Sequence, residues 1–465
     1  MRTFWTNTIV AGLTCIAHFA AAQEPAPHDV PTGIFENPSR LPASKDTPSS
    51  SEAVAGVTSA AVAEVDEVPG NSTPSLTGAD MLWSGTASIG LLATNGTRDL
   101  DDSGSRWGAA GRVRTELKGN SWRAMLEATV GSDRLRYDDD AALRQAYVEY
   151  TRGRFQINIG RQIVAWGRAD RLNPTDNLSP RDLPALVSRI DEDRIGIDAL
   201  AVKFQLSEQW SLGFTHVPKL RASVLPRAIA EVPELFGGHV VSNEKADAAT
   251  NALRLDFAGN RLDGSISFLR GAATSPALLD IGVLDARQPQ LAVIGADFSV
   301  ALNDRWGLRG EFADTRFKHT QPVGLADFRY AVLGIERHFD GGWLGLVQWV
   351  HRDADHAQAP TPQSALVSAL NRAIWFQTDT DSDALYIGLN RAPFEGDLSG
   401  DLGVLQTFDD RGRAWFANLE YRVADRWTLL GRWQHFNGQR LSNLGGLRKD
   451  SLLLLELRGT WGWRR

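Results

Sequence analysis

The sequence predicts an all-β protein: a transmembrane antiparallel β-barrel of about 18 strands (16–18), with both termini on the periplasmic side. Three regularities predict it: period-two alternation of apolar and polar residues, connections that are alternately tight and long, and tryptophans that recur just after the tight turns.

The alternation starts at Met81 and runs to Trp463 in stretches of about ten residues separated by turn residues. Phe416 to Val423 places Asn418, Glu420 and Arg422 on one face and Ala417, Leu419, Tyr421 and Val423 on the other. The last stretch repeats the pattern, with Leu455, Leu457, Gly459, Trp461 and Trp463 against Glu456, Arg458, Thr460 and Gly462. The predicted strands span roughly 81–95, 106–118, 121–132, 141–151, 154–165, 196–206, 209–217, 250–258, 260–271, 288–302, 305–316, 326–339, 342–353, 382–391, 398–408, 412–423, 426–437 and 450–463.

Every second connection is tight: Lys118-Gly119-Asn120, Arg152-Gly153, Ser207-Glu208, Ala258-Gly259-Asn260, Asn303-Asp304, Asp340-Gly341 and Ala424-Asp425. Ala392 to Asp397 belongs to the same class but is longer. The others are mostly long, the longest being 166–195, 218–249 and 354–381. Short turns on one rim and long loops on the other are the mark of an outer-membrane barrel. An even strand count returns the C-terminus to the rim where the first strand began.

Trp122, Trp210, Trp306, Trp343 and Trp427 each come just after a tight turn. A Trp at one depth on many strands forms an aromatic girdle at a membrane interface, and core packing gives no reason for this placement. The chain has 15 Trp and 43 Gly against 3 Met and 1 Cys. No apolar run is long enough for a spanning helix. The net charge of −7 gives no basic footprint for a nucleic-acid partner.

The chain opens as a signal peptide over residues 1–22: Arg2, a short apolar core from Thr8 to Ala20, and Ala20-Ala21-Ala22 before Gln23. Its one cysteine, Cys15, lies in that core, so the mature chain has no thiol for disulfides, catalysis or metal ligation. Residues 23–80, rich in Pro, Ser and Ala, read as a disordered periplasmic linker, since they carry too few apolar groups to offset chain entropy. The barrel takes 81–465. Its last aromatic, Trp463, is a candidate signal for the barrel assembly machinery, although Arg464 and Arg465 come after it.

If apolar residues meet outer-membrane lipid, the opposite face lines the lumen. It carries Arg112, Arg114, Glu116, Arg309, Glu311, Glu420, Arg422, Glu456 and Arg458, a dense set of mixed sign. An Arg or Lys at mid-membrane on the lipid side costs about 2–4 kcal/mol, which turns these groups inward. They read either as ladders that set selectivity in a solute path or as a self-neutralising filling.

One segment departs from the strand texture. Gly160-Arg161-Gln162 leads to Trp166-Gly167-Arg168, then Asp170, Asn173-Pro174 and Asp176. Glycines at 160 and 167 permit an inward bend, and Pro174 and Pro180 stiffen the loop beyond it. A loop folded into the lumen would form a constriction with Arg161, Gln162, Trp166, Arg168, Asp170 and Asp176; a cap on the rim is the alternative. The pattern G-R-Q-x-x-x-W-G-x-x-D with N-P-x-D resembles a porin-like group of outer-membrane barrels. It is similar to uncharacterised barrels that in some relatives accompany RND-type exporters, and more distantly to alginate-export barrels of eighteen strands. The resemblance implies a barrel fold and, as a candidate partner, an inner-membrane exporter. It does not carry a substrate or an oligomeric state.

Nothing in the sequence points to an enzyme or to a cofactor. No Ser has nucleophile-elbow surroundings. His216, His351 and His435 sit near outer strand ends, with Asp353 and Asp355 beside His351, and read as hydrogen-bonding rim residues. Asp101-Asp102 and Asp138-Asp139-Asp140 lack the spacing of a calcium loop and read as solvated tips, so no metal is expected. The function expected is passage of solutes across the outer membrane; the alternative is a non-conducting partner of an export or assembly machine.

Overall fold

Alternating side chains become a closed wall because every strand finds its chain neighbour. The computed structural model describes residues 81–96, 105–131, 143–169, 172–182, 193–224, 241–242, 248–278, 285–318, 322–357, 360–362, 364–375, 377, 379–392, 397–409, 411–437 and 451–464. Residues 1–80, read above as leader and linker, and the acidic residues 101–102 and 138–140 lie outside these.

The barrel strands are β1 (Leu82–Gly96), β2 (Ser105–Lys118), β3 (Trp122–Gly131), β4 (Leu143–Arg152), β5 (Phe155–Gln162), β6 (Ile197–Gln205), β7 (Trp210–Val217), β8 (Thr250–Ala258) and β9 (Leu262–Ala272). They continue as β10 (Gln290–Ala301), β11 (Trp306–Phe317), β12 (Phe328–Phe339), β13 (Trp343–Ala354), β14 (Asp381–Arg391), β15 (Leu398–Thr407), β16 (Arg413–Ala424), β17 (Trp427–Asn437) and β18 (Leu452–Arg464). These 18 strands form one antiparallel sheet, closed by β1 against β18 from Ser84↔Arg464 to Gly96↔Leu452. Closure leaves no strand edge unpaired.

The pleat separates two environments. Ile89, Val130, Ile159, Ile266, Ile294 and Leu402 point outward, each more than half exposed. In β18 the outward Leu453, Leu455 and Leu457 alternate with the buried Leu452, Leu454 and Glu456. An apolar exterior on a closed barrel is a lipid-facing surface.

Tight turns fix the level of the tryptophans. Trp122, Trp210, Trp306, Trp343 and Trp427 are the first residues of β3, β7, β11, β13 and β17, on the outward face and over a third exposed. Two of these turns share one geometry. At Asn303 the side-chain oxygen accepts from the backbone N–H of Arg305 and Trp306 (2.9 and 3.0 Å). Ser207 Oγ accepts in the same way from Gln209 and Trp210. Each turn is then closed by a backbone bond of 2.9 Å, Leu302 N–H to the Trp306 carbonyl and Leu206 N–H to that of Trp210. The capping residue therefore dictates where the indole begins the next strand.

The other rim is more built up than the sequence suggests. Inside the predicted loop 354–381 lies a helix, α1 (Ala365–Ile374). Residues 241–242, 277–278 and 285–287 make a small three-stranded sheet. Val367, Leu370, Ile374 and Trp375 pack into an apolar cluster with Leu278, Leu325 and Leu178. Asn371 ties the helix down, accepting from Leu278 N–H (2.7 Å) and donating to the carbonyls of Leu278 and Val323.

Candidate functional site

After Gln162 the chain turns into the barrel rather than out over its rim. Two glycines make the turn. Gly160 (φ 123°) and Gly167 (φ 103°) both sit in the left-handed half of backbone space. A Cβ at Gly160 would lie 2.3 Å from the Ala146 carbonyl oxygen, and one at Gly167 1.8 Å from Asn173 Oδ1. The neck is closed by Ser179, whose Oγ accepts from Val164 N–H (2.8 Å) and donates to the Val164 carbonyl (2.9 Å).

The far end of this segment docks on Glu311, in the middle of β11. The backbone N–H groups of Arg168 and Ala169 donate to Oε1 (both 2.5 Å). Thr175 donates to Oε2 through its N–H (3.3 Å) and its hydroxyl (3.0 Å). One wall carboxylate thus gathers four donors from a loop rooted six strands away. Farther round, Ala169 and Leu172 belong to one apolar cluster with inward side chains of β12 to β17, among them Tyr330, Leu346, Tyr386 and Phe416. The loop therefore spans the lumen from β5 to the opposite wall.

Arg168 completes the docking. Its Nε lies 2.8 Å from Asp297 Oδ1 on β10, and its carbonyl accepts from Arg309 Nη1 at 3.4 Å. Asp297 is fully buried and is shared with Arg254 (3.0 Å) and the Ser265 hydroxyl. The guanidinium of Arg254 also pairs with Asp256 at 2.8 Å and stacks 5.4 Å from the centre of the Trp166 ring.

The residues expected at a constriction do not share one role. Trp166 and Arg168 enter the lumen, the one under Arg254 and the other against Asp297. Gln162 faces inward but is spent on the wall, donating to the Ala199 carbonyl at 3.1 Å. Asp176 is buried under Arg181 (3.3 Å) and Arg194 (2.6 Å) and accepts from Trp166 N–H, so it shapes the loop's return. Asp170 lies outside the described residues. Arg161 requires correction. It alternates with Asn158, Gly160 and Gln162, so it points outward, where Nε meets Asp198 Oδ1 at 3.0 Å on the loop-side rim. Period two, not nearness to the loop, decides its face.

Arg181 and Asp193 hold the loop's exit with a 3.0 Å pair. Burial pushes the Asp193 carboxyl above its ordinary range. For Arg181 burial acts the other way, but Asp193 and Asp176 outweigh it and hold the guanidinium above its usual value.

Several of the other inward charges form paired steps. Arg309 meets Glu336 (2.7 Å), and Arg458 holds Glu456 through two bonds (2.7 and 2.8 Å). Arg123 bridges Glu149 at 2.8 Å and approaches Glu116 at 3.9 Å, while Arg112 lies 3.9 Å from Glu127. Arg114 stands across the ladder from Glu127, and Glu420 across from Ser399. Arg422 hangs at the tight-turn rim, half-exposed, 3.9 Å from Asp397.

Against known proteins, a family model described as "Protein of unknown function (DUF1302)" matches residues 84–312, which include the inward loop and Glu311. No curated protein matches the chain. Among solved structures, OccAB3 of Acinetobacter baumannii is 10% identical, with a TM-score of 0.53 over 83% of this chain and all of that one. OccK9 of Pseudomonas aeruginosa gives 10%, 0.52, 83% and 99%. A BenF-like porin from Pseudomonas fluorescens Pf-5 gives 11%, 0.51, 83% and 99%. At these identities the likeness is one of fold: the chain has the architecture of a porin-type barrel of 18 strands.

Proposed function

We propose that this protein is an outer-membrane channel whose solute path is narrowed by the segment 163–182. The observation that carries the reading is the loop itself. A segment that leaves the wall, crosses the lumen and docks on an interior carboxylate sets the width of whatever passes. Fixed charges beside a narrow path are poorly screened and govern selectivity. Arg168 is the loop residue best placed for that role, together with Arg254 and Arg309 on the wall. The fold likeness to a porin supports the reading, as does the apolar exterior.

The test is conductance of the purified chain in planar bilayers under a salt gradient. Arg168→Ala removes a positive charge beside the path and is expected to shift the reversal potential toward cation selectivity. Arg161→Ala, on the outward rim, is expected to leave it unchanged. Equal shifts from both would mean that the loop does not line the path.

The same reading fixes the orientation. The tight turns and both termini are periplasmic, and the long connections face outside, so an epitope inserted after Arg411 should be labelled on intact cells. Labelling only after the outer membrane is permeabilised would invert the topology.

A second reading has one observation in its favour. Many inward charges are buried and partnered, Asp297, Arg309 and Glu456 by opposite charges and Glu311 by the loop. A barrel so filled would suit a non-conducting partner of an inner-membrane exporter, the association that the resemblance to exporter-linked barrels implies. Absence of wild-type conductance under every condition would favour it.

A further inference from the structure

We propose that His351, Asp381 and Asp383 form a binding site for a first-row divalent cation on the outer surface of the barrel, closing the base of the loop that carries α1.

His351 lies near the end of β13, and Asp381 and Asp383 begin β14. By the pleat all three point outward, on the loop-side rim. His351 Nδ1 lies 3.0 Å from Asp383 Oδ1 and 3.7 Å from Asp381 Oδ1, and donor atoms of all three residues fall within 4.8 Å of one another. Ligands bonded to a tetrahedral cation at about 2.0–2.1 Å stand roughly 3.3 Å apart. These two separations bracket that spacing and the third pair lies within 4.8 Å, so a cation fits once the side chains adjust. The ligand types, one imidazole and two carboxylates, suit a first-row divalent ion.

Two further features favour a cation here. The first is charge. Asp353 and Asp381 face each other in the ladder, a like-charge pair that destabilises a sheet unless something neutralises it. Arg329 serves Asp353 at 3.1 Å, while Asp409 adds another carboxylate by accepting from Asp383 N–H. Of the groups named here, four are carboxylates, set against one guanidinium and one imidazole. The second is support around the ligands. Trp349 Nε1 donates to Asp383 Oδ1 at 2.9 Å, and its indole stacks on the His351 ring at 17°. Such partners outside the ligand set orient metal ligands and raise affinity. Two other histidines on this rim have neutral partners, His216 with Asn251 and His435 with Ser451.

The position gives the site a purpose. Between its two halves runs the connection that carries α1, so a cation would join the points where that connection leaves and rejoins the wall.

The experiment uses the untagged full chain in detergent, stripped with chelator and titrated with Zn²⁺ by calorimetry. One equivalent should bind saturably. His351→Ala and Asp383→Asn should each weaken it at least tenfold, the scale on which lost metal-site partners act. Asp381→Asn, on a largely exposed side chain, should do the same without risk to folding. His216→Ala and His435→Ala should bind as the wild type does, and the heat-shifted band in SDS gels reports folding for each variant. No uptake of Zn²⁺ by the wild type, uptake that survives Asp381→Asn and His351→Ala, or equal loss in the His216 and His435 variants would each overturn the proposal. The outcome is independent of whether the barrel conducts.

Discussion

Replacing Glu311 by Ala is expected to raise single-channel conductance at least twofold and to make the open level flicker. Four donors of the inward loop end on this carboxylate. A net hydrogen bond is worth about 0.5–1.5 kcal/mol, and one to a charged group about 1.5–3 kcal/mol, so the loss of four is large. The segment around Arg168 should leave the wall, while Ser179 and Asp176 still close its neck. Glu311→Gln keeps one acceptor oxygen and places an amide N–H₂ against N–H donors, so an intermediate effect is expected. Hydrogen exchange supplies an independent readout: backbone amides of 168, 169 and 175 should lose protection in Glu311→Ala. Unchanged conductance with unchanged protection would show that the loop is held from elsewhere.

The second large effect concerns stability. Asp297→Asn should lower the unfolding free energy by about 3 kcal/mol, because removing one partner of a buried ion pair leaves the other charge uncompensated. Two guanidiniums share this fully buried carboxylate, Arg168 from the loop and Arg254 from β8. Asp256 keeps hold of Arg254 at 2.8 Å, which limits the loss. Asp340, paired at 3.5 Å with the exposed Arg305 at the opposite rim, serves as the comparison. Surface pairs contribute little, so Asp340→Asn should leave the midpoint where it is. Urea titration in detergent, monitored by tryptophan emission, measures both. A shift for Asp297→Asn no larger than for Asp340→Asn would mean that water in the lumen already screens the site.

The barrel is legible in the sequence because its signals are local. Period two assigns each residue a face, and a turn residue such as Asn303 sets where the next strand begins. The inward loop is legible in part: Gly160 and Gly167 announce backbone that other residues rarely adopt. Its docking point is not, because Glu311 lies more than 130 residues beyond Arg168 in the chain and looks in sequence like any other inward charge. Arg161 is misplaced when its neighbourhood is read instead of its parity. The helix α1 escapes the sequence reading although Val367, Leu370 and Ile374 carry helical spacing; a short amphipathic turn inside a long loop is hard to tell from coil by composition. The cluster at His351 is half visible. Asp353 and Asp355 stand out as its sequence neighbours, but the carboxylates nearest its ring come from the next strand, brought there by register.

The docking of the loop on β11 also sets an order of events. The segment after β5 is complete once six strands exist, yet its acceptor belongs to the eleventh and its apolar contacts to later strands still. A barrel growing by addition of successive hairpins in chain order therefore carries this segment without its acceptor while five further strands, the seventh to the eleventh, are added. The interior can be narrowed only when that wall arrives, so the constriction forms well after the segment that makes it. During assembly the lumen is at its widest while the sheet is still open.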